Sequence, residues 1–259
     1  MIKGSENKTM IACAMTDTGR VRTANQDYVY ASTEPVGALP DLFLVADGMG
    51  GHQAGDYASK YLAEHLVSYL KNTEENEEDK ETVSLLRKGV EKVNSMLYQE
   101  SLKNSERNGM GTTLVAAVIE GGLLYVANVG DSRLYLMRKQ LKQITKDHSY
   151  VEELVSLGKL ERGSQDYREK KNIITRAVGT EDTLDIDFFE VSLEAGDFVL
   201  MCSDGLSNML EDAEMEEIIC SDLELPEKAE KLITVANDNG GRDNIGIVLI
   251  DPQIGREEL

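Results

Sequence analysis

Apolar positions along the chain switch between two periods, and the switches divide it into elements. Residues 11–16 alternate weakly and predict a strand, closed by a turn at Asp17-Thr18-Gly19. A polar, irregular stretch, Arg22-Thr23-Ala24-Asn25-Gln26-Asp27, leads to a short strand over 28–31. After a loop over 32–40 with two prolines comes Leu42-Phe43-Leu44-Val45-Ala46, long enough for a buried strand and too short for a helix. From Ala54 the spacing lengthens. Ala58, Tyr61, Leu62, His65, Leu66, Tyr69 and Leu70 fall at i, i+3, i+4, which predicts a helix with one apolar face and His65 as a packing residue on it. Six acids within 71–81 predict a solvated loop, and Val83, Leu86, Val90, Val93 and Leu97 a second long helix.

The β pattern returns at 114–119 and 123–129, joined by the hairpin signal Glu120-Gly121-Gly122. The turn Gly130-Asp131-Ser132-Arg133 then leads to a strand over 134–137, so these three strands read as an antiparallel meander. They are apolar on both faces, and a second sheet and helices must cover them. Residues 150–172 differ in kind. A short helical pattern meets Gly158, and a charge-rich stretch follows, which reads as a mobile flap or small subdomain. A further apolar strand, 198–202, ends in Ser203-Asp204-Gly205-Leu206. Residues 226–236 predict a third amphipathic helix, and Gly240-Gly241-Arg242-Asp243-Asn244 precedes a last strand over 245–250.

Composition narrows the class. At 259 residues with 41% hydrophobic content there is enough for a substantial core, and no apolar run approaches the roughly 20 residues of a membrane helix. The first ten residues carry charge and no apolar stretch, so neither signal peptide nor anchor is expected. Cys13, Cys202 and Cys220 lie in no paired or metal-ligand spacing, which fits reduced thiols in the cytoplasm. Lys and Arg total 27 against 47 Asp and Glu, giving −20, a surface that repels nucleic acid and anionic membranes.

The candidate chemistry lies where strands meet glycine. Asp47, Asp204 and Asp243 sit at predicted strand ends beside glycines, and Asp131 has a similar setting. Carboxylates and carbonyls suit Mg²⁺ or Mn²⁺, whereas three histidines (His52, His65, His148) and dispersed cysteines argue against zinc. Several carboxylates at one sheet edge cannot all stay ionised without cations between them. A two-metal site follows, and such sites serve in-line displacement at phosphorus. Arg22, whose fork matches phosphate, is the candidate anion clamp; on spacing alone it serves equally as a surface arginine.

Seven stretches in order, Arg22-Thr23-Ala24-Asn25-Gln26-Asp27, Asp47-Gly48-Met49-Gly50-Gly51-His52, Met110-Gly111-Thr112-Thr113, Gly130-Asp131-Ser132-Arg133, Ile174-Thr175-Arg176, Ser203-Asp204-Gly205-Leu206 and Asp243-Asn244-Ile245, resemble the motif set of the metal-dependent protein phosphatases. This is the PPM or type 2C family of serine/threonine phosphatases, and the wording is nearest its bacterial branch. The resemblance spans about residues 10–250. It implies an α+β fold of two packed antiparallel sheets flanked by helices, a four-layer α-β-β-α sandwich, with the whole of 1–259 one catalytic domain and a flap at about 150–172.

The resemblance also implies roles. Asp47 would bridge two metals, with the Gly48 carbonyl on the second, and Asp204 and Asp243 would complete the first. Asp131, with Asp204, would match the third site of bacterial members. Arg22 would hold phosphate, and Asp27 would hydrogen-bond metal-bound water. The implied reaction is attack by metal-activated hydroxide, with no phosphoenzyme, on phosphorylated protein substrates. An opposing serine/threonine kinase and a monomeric, cytoplasmic enzyme belong to the same expectation. Two departures stand out. Gln26 replaces the acid that animal members carry, and Met49 replaces their histidine. His52 either inherits the general-acid role or braces the glycine turn. His148 is expected to be structural, and Thr112, Thr113 and Arg176 to serve packing and turns. The alternative of another class is a catalytically silent binding module on the same fold, disfavoured because the metal set is intact. A calcium-binding structural protein is excluded by the lack of EF-hand spacing.

Overall fold

A computed structural model of the chain describes residues 10–51, 54–73, 81–103 and 105–254. His52, most of the expected acidic loop at 71–81, and the charged residues 1–9 lie outside these. The strands are β1 Ile11–Asp17, β2 Asp27–Ser32, β3 Leu42–Met49, β4 Gly111–Thr112, β5 Leu114–Glu120, β6 Leu123–Val129, β7 Arg133–Met137, β8 Leu141–Gln143, β9 Asp187–Ser192, β10 Phe198–Cys202 and β11 Ile245–Asp251. One sheet has the order β1-β11-β10-β7-β8, the other β2-β3-β5-β6-β9, with β4 added to β3. The helices are α1 Ala54–Asn72, α2 Thr82–Lys103, α3 Tyr150–Ser156, α4 Gln165–Lys170, α5 Asp204–Ser207, α6 Asp212–Cys220 and α7 Leu225–Asp238.

Strand alternation explains why the central strands are apolar on both faces. On β3, Leu42, Leu44 and Ala46 face α1 and α2, whereas Phe43 and Val45 face the other sheet. On β10, Leu200 and Cys202 face α5, α6 and α7, whereas Val199 and Met201 point between the sheets. β11 divides likewise, with Val248 and Ile250 inward and Ile247 and Leu249 toward the helices. Three cores result, one between the sheets and one under each helical layer. This is the expected α-β-β-α sandwich. Each fully buried aliphatic side chain contributes roughly 1.5–3 kcal/mol, and a one-residue slip would turn the whole set over. Register therefore dictates that Asp47, in phase with Phe43 and Val45, points between the sheets.

Several boundaries differ from expectation. β3 does not stop at Ala46 but continues through Asp47 and Gly48 to Met49, because β4 pairs with Gly48 and Met49. The expected meander is broken. β5 pairs with β6, but β7 belongs to the other sheet, beside β10 and β8. Residues 130–132 are thus a crossover between sheets rather than a hairpin. Asp204 does not close a turn; it is the first residue of α5. β4, β8, β9 and α6 carry too few apolar positions, or too short a run, to announce themselves in the sequence. The flap forms two short helices, α3 and α4, and its ends meet at an isolated bridge between Ser149 and Ile174. Among the described residues no helix is long and apolar enough to cross a membrane.

Candidate active site

The start of β2, the ends of β3, β6 and β10, and the starts of β7 and β11 come together at one end of the sandwich. Asp27 and Asp47 are cross-strand partners there. Asp47 is fixed by its backbone. Its N–H donates to the Thr113 hydroxyl (2.9 Å), and its carbonyl accepts from the Thr113 N–H (2.8 Å) and the Thr112 hydroxyl (3.0 Å). Gly48 follows because α1 crosses directly behind it. A Cβ at Gly48 would lie 2.0 Å from the Gly55 carbonyl oxygen, so no other residue fits. Asp27 is buried, and its Oδ2 accepts from Ser203 Oγ at 2.6 Å, while its Oδ1 is buried without a hydrogen-bond partner.

Asp131 lies in the crossover, Asp204 opens α5, and Asp243 precedes β11. Asp204 accepts from the Asn208 side chain at 2.9 Å. Burial, then repulsion from the neighbouring carboxylates, pushes Asp131 up to about 8. Burial and Asp243 push Asp204 up to about 6. Burial lifts Asp27 to about 7, against the Ser203 hydrogen bond. Asp47 rises well above the usual carboxylate range, from burial and then Asp27, Asp204, Asp131 and Asp243. Such an arrangement asks for positive charge.

Arg22 supplies one cation from the far rim. It is exposed and donates to Asp243 Oδ2 at 2.8 Å. An exposed pair of this kind adds little stability, so the guanidinium is available to an anion. Its loop is pinned by Asn244, whose amide donates to the Thr18 and Ala24 carbonyls (2.9 Å each) and accepts from the Gln26 N–H (2.9 Å). Arg22, Asp47, Gly48, Asp131, Asp204 and Asp243 line one cleft of about 290 Å³. A second cavity of about 340 Å³ continues from Asp131 and Asp204 beneath the flap, where Lys171 donates to Asn208 at 2.6 Å.

The structure thus brings together every sequence-predicted site residue except His52, which lies outside the described residues. His148, Thr112 and Thr113 hold the framework, as expected. Ser203, Ser132 and Asn244 support the site without a role that their motifs alone assign. Their signal was a polar residue directly beside each candidate acid. Asp187 and Glu152 had no such signal.

The protein phosphatase 2C family model matches residues 18–240. The chain belongs to the protein phosphatase 2C family. A serine/threonine phosphatase of Listeria monocytogenes is 42% identical over 243 residues, covering 91% of this chain and 93% of the relative. The structure of the S. agalactiae serine/threonine phosphatase superposes with a TM-score of 0.85 at 35% identity, covering 93% of this chain and 98% of that one. The catalytic domain of the serine/threonine phosphatase PstP in complex with two manganese ions does so at 0.80 and 33%, covering 93% and 97%. This phosphatase is therefore a phosphoprotein phosphatase of the serine/threonine class, and metal dependence comes with the family.

The residues of the phosphatase fit such ions. The donors are all oxygen, one buried carboxylate oxygen of Asp27 has no partner, and the acids repel one another in the absence of cations. Among the described residues no three acid, His or Cys side chains converge as a closed cage. Hard divalent ions keep several of their waters and do not need a closed all-protein cage.

Proposed function

We propose that this phosphatase hydrolyses phosphoserine and phosphothreonine in proteins by direct attack of water, without a phosphoenzyme, at a centre of two Mn²⁺ or Mg²⁺ ions. The observation that carries the reading is the meeting of four aspartates and one exposed arginine in one cleft of oxygen donors, with Asp27 buried beside Asp47 as its cross-strand partner. Asp47 would bridge the two ions, with the Gly48 carbonyl on one, while Asp204 and Asp243 would complete the other. Asp131 and Asp204 would hold a third. When bound, the ions would make a water nucleophilic at neutral pH and neutralise phosphate oxygens.

The chain's own groups do the rest. Arg22 would clamp the phosphate by its two-pronged fork, its orientation set by Asp243. Asp27, held through Oδ2 by Ser203, would turn its free Oδ1 to the attacking water. His52 would give a proton to the departing serine or threonine oxygen; water can replace it there. Residues 150–172 would select among protein substrates, and 1–259 would form one catalytic domain. We further read the enzyme as a cytoplasmic monomer opposing a serine/threonine kinase, which suits its dispersed cysteines and acidic surface.

Hydrolysis of a phosphothreonine peptide tests the reading. It should require Mn²⁺ or Mg²⁺, stop with chelator and collapse in Asp47→Asn, whereas His52→Ala should only slow it. Turnover that survives chelation would sink the mechanism. Light scattering of the purified chain tests the monomer.

A further inference from the structure

We propose that His148 is a positioning residue that latches the base of the flap to the Asp131 loop, so that cation binding at Asp131 and the packing of the flap are coupled. Asp131 stands between two anchors. On one side Ser132 Oγ meets Thr113 Oγ1 at 2.7 Å, and Thr113 in turn holds the backbone of Asp47. On the other side Gly130 pairs with His148 twice. The His148 N–H donates to the Gly130 carbonyl (2.9 Å), and the Gly130 N–H donates to His148 Nδ1 (3.1 Å). Gly130 has φ +105°, and a Cβ there would lie 2.6 Å from the Thr113 side chain, so the crossover depends on glycine.

The same histidine gathers the flap. Its carbonyl accepts from the Thr175 N–H (2.8 Å), and the next residues, Ser149 with Ile174 and Tyr150 with Ile173, close the flap's two ends on each other. With Nδ1 accepting from Gly130, Nε2 faces Asp187 Oδ2 (3.1 Å) and Arg176 Nη1 (3.2 Å), and Arg176 Nη1 itself donates to Asp187 Oδ1 (2.8 Å). The ring is 95% buried from solvent by side-chain area. One residue therefore joins the sheet crossover and β9 through its ring and the two flap ends through its backbone. A shift of the flap base moves Gly130, and with it Asp131.

The inference rests on reading Asp131 as a cation ligand, and Mn²⁺ titration calorimetry of the full chain separates the two. Asp131→Asn should lose one Mn²⁺ binding event. His148→Gln, which keeps a donor for Asp187 but no acceptor for Gly130, should weaken that same event about tenfold or more, the usual effect of losing a group behind a metal ligand. His148→Asn, whose oxygen takes the place of Nδ1, should retain it within a few-fold. In a second readout, saturating Mn²⁺ should slow tryptic cleavage at Arg162, Arg168 and Lys170 in the native chain and fail to do so in Asp131→Asn, where His148 is untouched. If Asp131→Asn loses an event but His148→Gln binds as the native chain does, or if His148→Gln weakens all events equally, the latch is overturned. Equal tryptic protection with and without Asp131 also overturns it. If Asp131→Asn loses no event, the assignment of Asp131 falls and the coupling falls with it.

Discussion

Asp27 and Asp47 face each other directly across β2 and β3, two carboxylates in register on the face between the sheets. Like charges in this position are destabilising, and here burial adds to the cost. Asp27 is held up to about 7, Asp204 to about 6 and Asp131 to about 8, against an ordinary Asp near 3.9 in the unfolded chain. Between about pH 4 and 8 the folded, metal-free protein therefore binds more protons than the unfolded one, and its stability falls as pH rises. Chelated enzyme should melt lower at pH 8 than at pH 5.5 by at least about 3 °C, the shift that roughly 1 kcal/mol produces in a chain of this size. Saturating Mn²⁺ should stabilise more at pH 8, since cations and protons compete for the same oxygens. Asp131→Asn should flatten the slope. Calorimetric melting that rises across this window in chelator would refute the account.

Arg22 and Asp243 form a 2.8 Å pair at the cleft's rim, with half of the arginine side chain in solvent. Arg22→Lys keeps the charge and loses the fork. Because the exposed pair contributes little, the melting temperature should hold within about 1 °C. Losing a charge-assisted bidentate contact to phosphate costs about 1.5–3 kcal/mol, so kcat/KM on a phosphopeptide should fall about ten- to a hundredfold. A variant with native kcat/KM would remove Arg22 from phosphate binding.

How much of this was legible in the sequence depends on whether a residue's role is local. Phe43 and Val45 announce a strand buried on both faces because their neighbours Leu42 and Leu44 are apolar too, and helices cover one face while the second sheet covers the other. Asp47, Asp204 and Asp243 stood out because each stands within two positions of both an apolar run and a glycine. The pairing of β7 with β10 rather than β6 did not. A turn such as Gly130-Asp131-Ser132 reads alike whether the chain doubles back within a sheet or crosses to another, and only the tertiary partners decide. Ser203 is similar: its hydroxyl matters because Asp27 lies 176 positions away in sequence and 2.6 Å away in space. The close approach of Gly48 to Gly55 needs the path of α1, which periodicity places only in outline.

Thr113 tests the framework behind the ligands. Its hydroxyl accepts from the Asp47 N–H in part-buried surroundings and pairs with Ser132 Oγ in buried ones. Thr113→Val keeps the shape and leaves a buried N–H and a hydroxyl unpaired, a penalty of about 1–3 kcal/mol each. At roughly 2–4 °C per kcal/mol, the melting temperature should drop by several degrees. Mn²⁺ affinity should fall as well, because Asp47 and the Asp131 loop share this anchor. Unchanged melting with weakened Mn²⁺ binding would show that the hydroxyl acts on the site alone, and unchanged values of both would discard the role.

Glu152 holds the flap to itself. It is buried on α3 and accepts from Arg162 and from the Tyr167 hydroxyl on α4 (2.7 Å). Burial alone would push its pKa up, but those two hydrogen bonds outweigh it and keep the carboxylate below its ordinary range. None of Asp47, Asp204, Asp243 or Arg22 lies in this segment. Removing residues 158–171 therefore leaves the reacting groups in place while taking away the surface beside them. Preference among phosphopeptides should change by about tenfold, equivalent to roughly 1.4 kcal/mol of differential binding. Turnover of a small aryl phosphate, which touches little beyond the ions and Arg22, should change by less than about threefold. Competition assays on paired peptides measure the first and steady-state rates the second. Equal losses on both substrates would mean that the flap supports the centre itself rather than choosing what enters it.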